Sequence, residues 1–260
     1  MKTVIGNWKM NVGVRESVAL ARGTLLTLRG RKVIPEVIIC PPYVALSEVR
    51  KAVARSAVAV GAQNLFWEDH GAFTGETSAR MLTELGVGFV LIGHSERRTH
   101  LGETDEMVNK KIVQALANQL VPIVCVGEST EQRAAQTQRE HVRNQLIAAF
   151  TNVRMRGQHR ILIAYEPVWA IGTGEVPEIG EVLAMHEFIR DVVSNIFGTD
   201  VSLQLEVLYG GSVDSENAYQ FLRETQIDGV LVGGASVKLN HFKDIIDAAS
   251  EVLEAQETKV

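Results

Sequence analysis

Cysteine is almost missing from this chain: Cys40 and Cys125 are the two among 260 residues. Each stands alone in an apolar run, VIIC and PIVCVG, and no N-x-Ser/Thr acceptor occurs. A disulfide scaffold is excluded, and a reducing, cytoplasmic setting fits better than a secretory one. Positive charge is not in excess either. With 26 Lys+Arg against 31 Asp+Glu the net charge is −5, so no basic field favours nucleic acid or acidic lipid. No run approaches the roughly 18 apolar residues of a membrane span. The opening MKTVIGNWKMN lacks the apolar stretch of a secretory leader, so none is expected. H-E-x-x-H, C-x-x-C and Walker A sequences are all missing, and the seven histidines are scattered, so no metal is expected.

What is present is an ordinary globular composition, 46% hydrophobic and 22% charged, with no linker or low-complexity segment, which reads as one domain over 1–260. Eight short β-rich runs recur: 3–9, 36–40, 58–64, 88–94, 121–127, 160–166, 205–211 and 228–234. They are continuously apolar rather than alternating, as parallel strands buried on both faces must be. Stretches of helical periodicity lie between them, for example 15–28, 103–116 and 178–193. Strand and helix signals alternating in this way predict an α/β fold, a (β/α)8 barrel. An open doubly wound sheet is the competing architecture, but G-x-G-x-x-G is missing after the first strand.

Polar residues gather where these runs end: Asn7, Lys9, Gln63, Asn64, His94, Glu128, Glu166, Ser212, Gly233 and Gly234. In a closed parallel barrel those ends share one face, the face that carries active sites. Glu166 ends ILIAYE and precedes PVWAIGTG. A carboxylate at an apolar mouth is disfavoured as an anion and gains basicity; the plainer reading is a strand-end acid paired with a cation. Pro167, the apolar tip Ile171, Gly172 and Gly174 suit a water-excluding lid beside that base. His94, in LIGHSERR, is structural or catalytic. Ser95 reads as an N-cap, and a helix starting there would favour neutral imidazole, able to donate to a carbonyl. Lys9, two residues after Asn7, is expected on the same strand face, where it needs a bound anion or an internal partner such as Glu96. The glycine pairs in GGS (210–212) and VGGA (232–235) are either tight turns or, together, a phosphate site after strands 7 and 8.

These motifs resemble the triosephosphate isomerase family, in order and along essentially the whole chain: GNWKMN (6–11), GAQN (61–64), GAFTGE (71–76), GHSERR (93–98), CVGE (125–128), YEPVWAIGTG (165–174), YGGSV (209–213) and LVGGAS (231–236). The resemblance implies interconversion of dihydroxyacetone phosphate and glyceraldehyde 3-phosphate through an enediolate, in glycolysis and gluconeogenesis, without a cofactor. It implies Glu166 as base, His94 as neutral electrophile and Lys9 as the stabilising cation. Asn7 would position substrate, with Glu96 behind the site. Amides of Gly172, Ser212, Gly233 and Gly234 would hold the phosphate, and Ile171 and Leu231 would close over the base. It also implies a homodimer through the 64–77 loop, with Phe73 and Thr74 reaching the partner's site. Two alternatives stand beside it: another phosphate-binding barrel isomerase, and a catalytically silent barrel scaffold. The chain departs from the family at Glu175-Val176-Pro177, where proline stiffens the C-terminal side of the lid, and at ESTEQRAAQTQ (128–138), which lacks an expected acid and glycine.

Overall fold

A computed structural model describes residues 1–155, 159–198 and 205–258. Eight strands form a closed, all-parallel barrel in sequence order: β1 (Thr3–Asn7), β2 (Glu36–Cys40), β3 (Val58–Ala62), β4 (Phe89–Ile92), β5 (Val121–Val126), β6 (Leu162–Tyr165), β7 (Glu206–Tyr209) and β8 (Gly229–Val232). The ring closes where Thr3–Gly6 of β1 pair with Gly229–Val232 of β8. Apart from β2, which matches its run, the strands are shorter than the apolar runs, whose last residues leave the ladder to form the loops above it.

Ten α-helices among the described residues surround the barrel: α1 (Val14–Thr27), α2 (Tyr43–Ala52), α3 (Ala79–Glu84), α4 (Ser95–Leu101), α5 (Asp105–Ala117), α6 (Thr130–Ala134), α7 (Gln138–Phe150), α8 (Ile179–Phe197), α9 (Ala218–Leu222) and α10 (Leu239–Glu257). Three differences from the sequence reading stand out, the first with a local cause. The helix expected over 103–116 starts at Asp105, because the Thr104 side chain caps it by accepting from Met107 N at 3.3 Å. The connections after β4 and β5 each hold two helices rather than one. α8 runs four residues beyond the expected end at 193.

Period-two alternation divides the core. Outward-facing Val4, Val37, Val90, Ile163 and Val230 pack under the helices, while Ile5, Ile38, Phe89, Leu91, Ile123, Leu162, Leu208 and Leu231 fill the barrel. Its lower end is closed by charge: Arg160 binds Glu36 and Glu206, and Thr3 donates to Glu206 at 2.9 Å. Interior packing and this plug leave the upper end as the open one. No helix among the described residues is long and apolar enough to cross a membrane.

Candidate active site

A cavity of about 380 Å³ opens above the strand ends. It gathers Asn7, Lys9, His94, Glu166, Ile171, Gly172, Ser212, Leu231, Gly233 and Gly234 from five of the eight strand–loop junctions. The remaining strand-end polar residues expected there do not line it. Gln63 donates to the carbonyls of Lys9 and Cys40, both at 2.9 Å, and Asn64 accepts from Lys111 at 2.7 Å. Glu128 accepts from Tyr165 Oη at 3.1 Å and Trp169 Nε1 at 2.8 Å. These three hold the walls.

Glu166 continues the inward parity of Leu162 and Ala164, so its side chain enters the barrel mouth. It is 2% exposed; one carboxylate oxygen accepts from Ser95 N at 3.0 Å and the other lies 3.2 Å from His94 Nε2. That second contact lacks hydrogen-bond geometry, which leaves Oε1 buried without a partner. One oxygen is thus fixed by the Ser95 amide and the other is left unpaired at the cavity.

His94, not Ser95, is the N-cap of α4. Its Nδ1 accepts from Glu96 N at 3.2 Å, and Ser95 is the first helical residue. An Nδ1 that accepts carries no proton, so the neutral ring holds its hydrogen on Nε2, the atom facing the cavity and Glu166. Its backbone is anchored through Glu103, which accepts from Gly93 N at 2.9 Å. Burial opposes the charge on Glu103, but Lys111 and Arg97 outweigh it and hold the carboxyl below its ordinary range.

Lys9 reaches the cavity by a route that strand parity does not describe. β1 ends at Asn7, Trp8 is fully buried, and Lys9 adopts a left-handed backbone with φ 51. Asn7 Oδ1 accepts from Lys9 N at 3.1 Å and Gln63 binds its carbonyl, so two side chains hold the strained turn. Its ammonium meets Glu96 Oε1 at 2.6 Å, the internal partner expected, while Gly233 leaves room for the lysine stem; a Cβ there would sit 3.3 Å from Cε.

The lid rises directly from the base. After Glu166 a 3-10 turn over Val168–Ala170 leads to the half-buried Ile171, then an exposed tip with Gly172 at φ 71 and Gly174 at φ 82, both in the left-handed region. Trp169 secures the near side, held by Glu128 below and by the Arg133 guanidinium 3.8 Å from its ring centroid. Burial raises the Glu128 carboxyl above its ordinary value, against the hydrogen bonds from Trp169 and Tyr165. Phe73 and Thr74 lie outside the cavity, exposed in the 64–77 loop, with Phe73 tilted against Phe66 at 4.6 Å. Sequence reasoning missed the Ser95 amide, the Glu128–Trp169 bond, and Asp214, Lys238 and His241 on the cavity rim. The start of the last helix, just after GGAS, was the one signal for the last two.

The arrangement can abstract a proton at one atom, donate to an adjacent oxygen, and neutralise the charge that develops between them. The family model described as triosephosphate isomerase matches residues 2–249. The chain is 46% identical over 246 residues to a triosephosphate isomerase of Rhodopirellula baltica, covering 95% of this chain and 96% of that protein. It is 43% identical over 244 residues to that of Alkaliphilus oremlandii (94% and 98% covered). Against that of Chloroflexus aurantiacus it is 44% identical over 243 residues (94% and 97%).

Proposed function

The chain belongs to the triosephosphate isomerase family and interconverts dihydroxyacetone phosphate and D-glyceraldehyde 3-phosphate, and we propose that Glu166, His94 and Lys9 carry out that reaction. It is an aldose–ketose isomerase of glycolysis, and neither alternative raised from the sequence is favoured.

Glu166 removes a proton from the carbon next to the substrate carbonyl, and the electron pair moves onto the carbonyl oxygen. His94 Nε2–H donates to that oxygen and Lys9 stabilises the enediolate. Transfer of the hydroxyl proton from the oxygen on the deprotonated carbon to the former carbonyl oxygen, and return of the Glu166 proton to the former carbonyl carbon, complete the isomerisation with atoms and charge in balance. Asn7 positions the substrate, and Glu96 keeps the Lys9 ammonium aimed. The amides of Gly172, Ser212, Gly233 and Gly234 hold the phosphate dianion. Ile171 and Leu231 close over the base, so phosphate binding contributes to desolvating it.

The observation that carries this assignment is the buried Glu166 carboxylate 3.2 Å from the Nε2 of a histidine whose Nδ1 is already accepting. A coupled assay of glyceraldehyde 3-phosphate isomerisation, run beside Glu166→Gln, tests it. The variant loses between about 100-fold and 10,000-fold in kcat. Retention of kcat within a few-fold would remove Glu166 from its role.

The active form is a homodimer, with Thr74 near the partner subunit's site. Supporting this are Phe73, 44% exposed at a loop tip, and Met10, 96% exposed beside Lys9, both liabilities on a lone subunit. A fully active 28.5 kDa species in sedimentation at micromolar concentration would overturn it. The free, buried Cys40 and Cys125 support a cytoplasmic location, where the same reaction also serves gluconeogenesis.

A further inference from the structure

Two basic side chains with no part in the proton transfer line the phosphate end of the cavity: Lys238, the N-cap of α10, and His241 in its first turn. His241 Nδ1 lies 3.3 Å from Ser215 Oγ, a contact that ties the start of α10 to the loop after β7. The β7 loop is itself tightly knit. Asn217 donates to Ser212 O and accepts from Asp214 N, both at 3.0 Å. Asp214 accepts from Glu216 N at 2.9 Å and Asn217 N at 3.0 Å. One oxygen of Asp214, the carboxylate of this loop on the cavity rim, is therefore engaged by two amides.

The other charges around His241 are Glu216 on the β7 loop, Lys238 beside it, and Lys243 and Asp244 on its own helix; Lys9, His94 and Glu166 lie deeper in the cavity. The chain carries −5 overall, so a local positive rim is needed to draw a dianion toward the mouth. Histidine is the side chain whose charge ordinarily changes across pH 5 to 8.

We propose that His241 is a further substrate-binding residue, which braces the phosphate loop after β7 against the start of α10 through Ser215 and sets a basic side chain beside Lys238 where the substrate's phosphate enters. The inference rests on the assignment of Ser212, Gly233 and Gly234 to the phosphate.

The test uses inorganic phosphate as a competitive inhibitor of glyceraldehyde 3-phosphate turnover, with the parent and His241→Gln compared near pH 6 and near pH 8.5. Glutamine keeps a hydrogen-bonding group for Ser215 and removes the titratable charge. Both proteins meet the same titration of the phosphate itself, so their ratio isolates the side chain. Near pH 6 the variant's KM and phosphate inhibition constant rise about threefold, with the loss in KM rather than kcat, as expected for one screened rim charge. Near pH 8.5 the two proteins converge. An unchanged variant near pH 6, or the same ratio at both pH values, overturns the proposal for His241 alone. If phosphate does not compete in the parent, the phosphate-site assignment fails and this inference fails with it.

Discussion

Gly210→Ala should slow the chemistry without unfolding the barrel. Gly210 follows β7, and its amide donates to Tyr165 O at 2.8 Å, which fixes its backbone beside the base. A methyl group there would stand 3.0 Å from Glu166 Cγ, 3.3 Å from Tyr165 O and 3.6 Å from Leu231 Cβ. Carbon atoms rest about 3.5–4.0 Å apart, so the closest contact is short by roughly 0.5–1 Å. Tyr165 O and Leu231 block the methyl's retreat, so the Glu166 side chain takes up much of the shortfall, about 0.5 Å. A misplacement of about 1 Å in a reacting group costs on the order of 100-fold, so half of that costs about tenfold. In barrier height this is about 1.4 kcal/mol. Steady-state isomerase kinetics should show kcat down about tenfold with KM nearly unchanged, and thermal melting should show a folded protein destabilised by about 1–3 kcal/mol. Gly127→Ala supplies the contrast. Its Cβ would lie 1.7 Å from the Glu166 carbonyl oxygen, a clash with backbone that no side-chain shift relieves, and that variant should fail to fold. A Gly210→Ala protein that melts like the parent and keeps kcat within twofold would refute the reasoning that Glu166 placement limits the rate.

Ile171→Ala leaves the fold intact but weakens desolvation of Glu166; kcat should fall more than KM rises, by about tenfold, visible in single-turnover deuterium isotope effects. His186 is fully buried, and burial pushes its pKa down from 6.5 to about 3. The unfolded chain therefore binds a proton that the folded chain refuses, and stability falls as pH drops from 6.5 toward 3. The slope from this group approaches about 1.4 kcal/mol per pH unit. Urea melts at neutral and mildly acidic pH should show His186→Phe losing less stability on acidification than the parent. Gln136 sits two residues past α6 at φ 57, where the family pattern leads one to expect glycine. Gln136→Gly should raise stability by about 0.5–1 kcal/mol with unchanged kcat, measured by chemical melts beside the isomerase assay.

Eight continuously apolar runs with helical stretches between them specify a parallel sheet covered on both faces, and the missing G-x-G-x-x-G after the first run favoured a barrel over an open sheet. The position of Glu166 at the end of an apolar run was legible, while its inward direction follows from the parity of Leu162 and Ala164 in the closed barrel. Parity stopped serving where the strands stop. Lys9 lies beyond the ladder, in a left-handed turn held by Asn7 and Gln63, and its path into the cavity depends on hydrogen bonds from other strands. The capping role of His94 was likewise a matter of geometry, since Ser95 is as good a capping residue by type and only the backbone angles decide between them. Which strand-end polar groups face the cavity was also settled in three dimensions. Gln63, Asn64 and Glu128 turn to partners in neighbouring loops, while Lys238 and His241 come to the rim from a helix that local sequence marks only as amphipathic. Residue type and spacing act along one strand or one helix; the meeting of Glu166 with His94 and the Ser95 amide, 71 residues away in sequence, needs the closed ring that brings β4 and β6 to the same mouth.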